Sequence, residues 1–193
     1  MKSLEMFKSK ITTLENLLAD LVAKNGELLE ECSQIFAETI KSGNTIFWCG
    51  NGGSASESSH LAVELIGRFK NNRRPLPSIS LSADTVALTC IANDFGFAEI
   101  FSRQLEALGR RGDLLVILST SGNSENILQV LRTAKEKKID SIALLGKGGG
   151  EAAKIADKAI IIDSFETARI QELHLLIGHT FCEFAEYINF NLE

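Results

Sequence analysis

The sequence predicts an α/β protein in three layers, a five-stranded parallel sheet flanked by helices, with a helical hairpin ahead of it. Three observations carry that expectation. After Gly43, short apolar runs alternate regularly with helical stretches. The runs are apolar at nearly every position, as strands covered on both faces are. Before Gly43, apolar residues recur only at helical spacing.

Taken in order, Leu4, Phe7, Ile11, Leu14, Leu18 and Leu21 alternate steps of three and four, a heptad seam that needs a partner. Asn25-Gly26 interrupts it, and Leu28, Leu29, Cys32, Ile35, Phe36 and Ile40 mark a second amphipathic helix ending at Ser42-Gly43. The seam fits either a hairpin within the chain or association of subunits. Apolar runs at Thr45 to Cys49, Ser78 to Leu81, Leu114 to Leu118, Ser141 to Leu145 and Ala159 to Ile162 then supply the five strands. Pro75 and Pro77 punctuate the entry to the second. Ile170, Leu173, Leu176, Ile177, Phe181, Phe184 and Ile188 place a long closing helix over Thr167 to Phe190.

A chain of 193 residues with 45% hydrophobic content suits one domain over residues 1–193, in which 1–43 form an N-terminal helical segment suited to oligomerisation. The net charge of -5 argues against a nucleic-acid partner, whose backbone demands clustered Lys and Arg. The densest basic stretch, Arg68 to Arg74 with Lys70 and Arg73, reads as a solvated loop. Cys32, Cys49, Cys90 and Cys182 are far apart and form no CxxC pair, so they read as buried thiols of a reducing compartment. No signal-type or membrane-spanning apolar run occurs, which predicts no membrane partner and a cytoplasmic location.

Two strand-to-helix turns carry the chemistry. Ser119-Thr120-Ser121-Gly122-Asn123-Ser124 offers four hydroxyls and the N–H groups of a helix running from about Asn126, a cradle for a phosphate that needs no lysine. The plainer alternative makes Ser124 an N-cap and Ser121-Gly122-Asn123 a turn. Gly50-Asn51-Gly52-Gly53-Ser54-Ala55 matches the loose dinucleotide pattern G-x-G-x-x-G/A. That reading wants an acidic residue at the end of the second strand, where Ser78-Ile79-Ser80-Leu81-Ser82 has none. A P-loop fails because Gly146-Lys147 is followed by glycine. The glycines instead suit close approach of a polar ligand, with Asn51 and Ser54 as side-chain contacts.

His60 and Glu64 stand four residues apart on one helix face, as a surface pair, a metal pair or an acid/base group below the glycine turn. Gln171, His174 and His179 lie on the closing helix. Gln171 and His179 are roughly 12 Å apart along a straight helix, too far for one small site unless the first turn frays or the two serve different subunits.

Together, Cys49-Gly50-Asn51-Gly52-Gly53-Ser54-Ala55-Ser56, His60 with Glu64 and Arg68, Ala92-Asn93-Asp94-Phe95-Gly96, Ser119 to Ser124, and Arg169-Ile170-Gln171-Glu172 with His179 resemble the phosphoheptose isomerase family. The resemblance spans nearly the whole chain. It implies a sugar isomerase (SIS) fold and conversion of sedoheptulose 7-phosphate to D-glycero-D-manno-heptose 7-phosphate, towards the lipopolysaccharide core. It also implies that Ser119, Thr120, Ser121 and Ser124 cradle the phosphate, and that Asn51, Gly52, Gly53, Ser54, Arg68, Asn93, Asp94 and Gln171 contact the substrate. Glu64 and His179 become the acid/base pair, and His60, Glu64, Gln171 and His179 the ligands of one zinc per subunit. A homotetramer with sites at subunit boundaries is implied as well.

Two departures stand out. Glu57-Ser58-Ser59 precedes His60, and Ala168 stands where some members carry Asp. A non-catalytic SIS relative that binds the replication initiator shares the Asn-Asp and Arg-Ile-Gln-Glu segments but not the acid/base pair. A SIS isomerase acting on another sugar phosphate is the third reading.

Overall fold

A single helix, α1 (Ser3–Lys41), spans the N-terminal stretch where the sequence predicts a hairpin. The computed structural model describes residues 2–190. The helix runs 39 residues without a break at Asn25-Gly26. A mid-helix glycine costs only about 1 kcal/mol relative to alanine. The heptad steps also pass through Asn25 unchanged, from Leu21 to Leu28 and on to Cys32, so the apolar stripe stays in phase on both sides. Leu21, Cys32, Phe36 and Ile40 are buried along it, whereas Leu4, Phe7 and Ile11 stand exposed. From Leu14 onward the stripe packs against the core of the chain, and only its first turns stand bare.

Five strands follow: β1 (Ile46–Gly50), β2 (Ser78–Ser80), β3 (Leu114–Ser119), β4 (Asp140–Leu145) and β5 (Lys158–Ile161). All pair in parallel, in the order β2-β1-β3-β4-β5. Their boundaries lie within two residues of those the apolar runs predict. The connecting helices are α2 (Gly53–Ile66), α3 (Thr85–Phe95), α4 (Ser102–Leu108), α5 (Glu125–Lys137) and α6 (Ala152–Ile155), and α7 (Thr167–Phe190) closes the fold.

The pleat sorts the strand residues into two cores, because successive side chains point to opposite faces. Ile46, Trp48, Leu114, Val116 and Leu118 pack with residues of α1, α2 and α7. Phe47, Cys49, Leu115 and Ile117 pack with residues of α4, α5 and α6. Among the described residues no helix is long and apolar enough to cross a membrane.

Two surface expectations are corrected. Arg73 is no solvated loop residue: its side chain is 2% exposed and pairs with Glu186, 1% exposed, at 2.7 Å. Glu186 also accepts the backbone N–H groups of Phe69, Lys70 and Asn71. The guanidinium donates to the carbonyls of Glu64, Leu65 and Gly67, which lack an intrahelical partner because α2 ends there. Cys90 is exposed on α3, unlike the other three thiols.

Candidate functional site

The strand order reverses direction between β1 and β3, and in open α/β sheets ligands bind outside the carboxyl ends of the strands at such a point. Both chemical turns lie there. Asn51, Gly53, Ser54, Ser119, Thr120, Ser121, Ser124 and Gln171, with Leu118 and Thr167, line a cavity of about 190 Å³. None of these residues carries a charge.

The loop from Ser119 is built as a cradle. Ser119 Oγ accepts the Gly122 N–H at 3.0 Å, and the Ser121 hydroxyl accepts the Asn123 N–H at 3.3 Å. Gly122 has φ of +64°, and a Cβ there would overlap the Gly149 carbonyl, so no other residue fits the turn. Ser124 occupies the N-cap of α5, yet its hydroxyl makes no capping bond. The capping alternative therefore leaves that hydroxyl unused, and it faces the cavity beside the free N–H groups of the helix start.

Below the glycine turn, α2 and α7 cross closely because residue 178 is glycine; a Cβ there would overlap Leu61. The crossing brings His179 against α2. His60 Nε2 lies 2.9 Å from His179 Nε2 and 3.3 Å from Glu64 Oε1. One ligand atom from each of His60, Glu64 and His179 lies within 4.8 Å of the others. Burial lowers the pKa of His179, and the neighbouring His60 lowers it further, against a partial rise from Glu64. The ring thus favours its neutral, lone-pair-bearing form. Phe69 stacks on it at 5.3 Å.

Three of the four expected metal ligands are together, and Gln171 is elsewhere. α7 is regular from Thr167, so no frayed turn moves it, and its Nε2 lies 3.4 Å from Ser54 Oγ in the cradle cavity. Asn93 and Asp94 sit exposed on α3, bonded to each other at 2.7 Å, and neither they nor Arg68 line the cavity. Gly52 holds the turn before α2 with φ of +56°.

Three residues of the site were not picked out from the sequence. Thr167 starts α7 where the sequence predicts it, but that the helix start borders the cavity depends on how α7 packs, which no local pattern shows. Asn126, 2% exposed, exchanges two amide hydrogen bonds with Asn51. Glu57 is half-buried with Oε2 lacking any partner, and burial pushes its carboxyl up to about 7, against a pull from Ser54. Its spacing of three from Ser54 and seven from Glu64 puts it on the same helix face, a signal that was available.

Residues 11–146 match the family model described as the SIS domain. Over 178 residues the chain is 46% identical to the phosphoheptose isomerase of Campylobacter concisus (strain 13826), covering 92% of this chain and 94% of that protein. It is 44% identical over 182 residues to the phosphoheptose isomerase of Akkermansia muciniphila, covering 94% and 96%. Two solved structures are similar throughout. The phosphoheptose isomerase from Neisseria gonorrhoeae matches with a TM-score of 0.89 at 34% identity, covering 96% of this chain and 99% of that one. That from Francisella tularensis matches with a TM-score of 0.91 at 31% identity, covering 96% and 98%.

Proposed function

Since the chain belongs to the phosphoheptose isomerase family of SIS-domain proteins, we propose that it converts sedoheptulose 7-phosphate to D-glycero-D-manno-heptose 7-phosphate. This is the first step towards ADP-heptose for the lipopolysaccharide core. The observation that carries the reading is that one helix spans both halves of the site. Ser54 at the start of α2 lines the phosphate cradle, and His60 on the same helix belongs to the His60-Glu64-His179 cluster. The six-residue step from one to the other corresponds to about 9 Å of helix, a span an extended sugar phosphate can bridge.

Ser119, Thr120, Ser121, Ser124 and the N-terminus of α5 anchor the phosphate, and Asn51, Gly52, Gly53, Ser54 and Gln171 border the sugar chain. The carbonyl end then reaches Glu64 and His179. Moving a carbonyl from C2 to C1 requires one group to carry a proton between the carbons and another to carry protons between the oxygens, through an enediol. Glu64 and His179 form that pair, the carboxylate as a base and the neutral imidazole as a group that both donates and accepts.

Two imidazoles and a carboxylate with converging lone pairs fit a catalytic zinc site, which takes three protein ligands and keeps a position open. Zinc held by His60, Glu64 and His179 would supply polarisation of the substrate carbonyl. Gln171 completes the ligand set only from another subunit or by a rotation away from Ser54.

The bare surfaces support an assembly. Leu4, Phe7 and Ile11 leave the first turns of the α1 seam without a partner in the chain. We assign residues 1–43 to oligomerisation and the protein to a homotetramer, in which Asn93, Asp94 and Arg68 reach the sugar across a subunit boundary. Three buried, unpaired thiols at Cys32, Cys49 and Cys182 suit the cytoplasm.

The test is direct. Purified protein incubated with sedoheptulose 7-phosphate yields the aldose; absence of turnover with and without added zinc refutes the assignment.

A further inference from the structure

The geometry points to Asn126 as a positioning residue, one that holds the glycine turn and the phosphate cradle at a fixed separation through its amide pair with Asn51. Asn51 Nδ2 donates to Asn126 Oδ1 at 2.9 Å, and Asn126 Nδ2 donates back to Asn51 Oδ1 at 2.8 Å. The pair bridges two segments 75 residues apart in sequence, the turn after β1 and the first turn of α5. These are the two walls of the cavity. Asn126 is buried beneath it, while Asn51 lines it.

An amide group offers two donors and two acceptor lone pairs. The reciprocal pair occupies one donor and one acceptor of Asn51 and so fixes its plane. One N–H of Asn51 remains, and its direction is set by Asn126 rather than by solvent. The clasp thereby orients a polar group on the wall bordering the sugar chain, without Asn126 touching the ligand.

The cradle is held independently on its other side. Ala152 N–H donates to the Gly122 carbonyl at 2.9 Å, and Glu151 N–H donates to Asn123 Oδ1 at 3.0 Å. With Ser119 bonded to Gly122, these contacts keep the loop's shape when the clasp is cut. Loss of the clasp changes the spacing between the walls and the aim of Asn51, not the cradle itself. A ligand that occupies both walls feels that change, and a ligand that fills only the cradle does not.

The inference rests on the sugar-phosphate reading above, and binding measurements test it on the full chain. Affinities of sedoheptulose 7-phosphate and of inorganic phosphate are measured by calorimetry for the wild type, Asn126→Ala and the near-isosteric Asn126→Leu, with melting temperature recorded for each. Misplacement of a positioned group by about 1 Å is worth up to ~100-fold, so the sugar phosphate is expected to weaken at least ~10-fold. Inorganic phosphate stays within about twofold, the scatter of uncoupled sites. Asn51→Ala combined with Asn126→Ala binds the sugar phosphate no more weakly than Asn51→Ala alone, because the second substitution removes a partner already lost.

Parallel weakening of both ligands, unchanged binding of both, or additive losses in the double variant each overturn the inference. A fall in melting temperature without the change in ligand preference does so too, since it marks a merely structural role. A wild type that turns over the sugar phosphate while its variants keep their preference sinks this inference alone. A wild type that does not bind the sugar phosphate sinks both readings.

Discussion

Replacing Glu186 by Gln keeps the side chain's volume and removes its charge at the point where the α2–β2 connection is tied to α7. Burial alone would push this carboxyl up, but the N–H groups of Phe69, Lys70 and Asn71 and the Arg73 guanidinium outweigh it and hold the group below its ordinary value. Glutamine offers one acceptor oxygen where the carboxylate offers two, and turns an NH2 towards donors. Arg73, 2% exposed, is then a buried cation without its counter-charge. Breaking one side of a buried pair costs about 3–5 kcal/mol. For a chain of this length each kcal/mol moves the melting temperature by about 2–4 °C, so the expected fall is roughly 6–20 °C.

The assay is thermal and urea unfolding followed by circular dichroism, at one fixed protomer concentration because the proposed assembly would contribute to the apparent stability. Arg73→Met should cost a similar amount. The double variant should cost less than the sum of the two, with a coupling in the range of 0.5–3 kcal/mol seen for residues sharing a network. A loss below about 1 kcal/mol in Glu186→Gln, the scale of an exposed ion pair, would refute the reasoning. Activity is expected to fall as well, since Arg73 bonds the Glu64 carbonyl and the loop it closes carries the Phe69 ring stacked on His179.

Other perturbations have equally definite outcomes. His174 is fully buried, and burial pushes it from 6.5 down to about 4, against a partial rise from the nearby Leu145 carbonyl. Above pH 6.5 the ring is neutral in both states; between 6.5 and 4 the unfolded chain takes up a proton that the folded one refuses, so stability falls by about 3 kcal/mol. Urea midpoints should fall over that window and the slope should flatten in His174→Leu; a wild-type midpoint independent of pH contradicts this. Glu64→Gln should lower kcat at least ~100-fold with substrate still bound, and near-normal turnover would remove Glu64 from the chemistry. Gly122→Ala places a methyl group against the Gly149 carbonyl at a positive φ, so calorimetry should register loss of inorganic phosphate binding; wild-type affinity would show that the cradle lies elsewhere.

The sheet was legible because its strands are covered on both faces: Leu114 to Leu118 and Ser141 to Leu145 have little choice but an interior ladder. What misled at the N-terminus was local chemistry. Asn25-Gly26 looks like punctuation, while the heptad phase that runs through it is set by packing along the whole stripe. Arg73 was misread for a different reason: its partner is 113 residues away, and no local pattern announces a long-range ion pair. The cradle and the His60-Glu64 pair are contiguous and could be found; their connection to His179 depends on a helix crossing at Gly178, and the Asn51-Asn126 clasp on the spacing of two turns. Motif resemblance bridged the first gap and was silent on the second.

The cavity proposed to hold the phosphate is walled only by neutral groups of this chain. Its attraction for an anion comes from fixed dipoles of short reach, the N–H groups and hydroxyls themselves, and not from mobile cations at a distance. Dissolved ions weaken long-range fields at exposed charges most, within about 8 Å at physiological ionic strength, and act least on bonds made in contact. The enzyme should therefore keep its grip on substrate as salt rises, where a lysine-built site would lose it. The same economy would work at the end of the cycle, because a phosphate held by hydrogen bonds alone leaves no ion pair behind in the cradle to be resolvated.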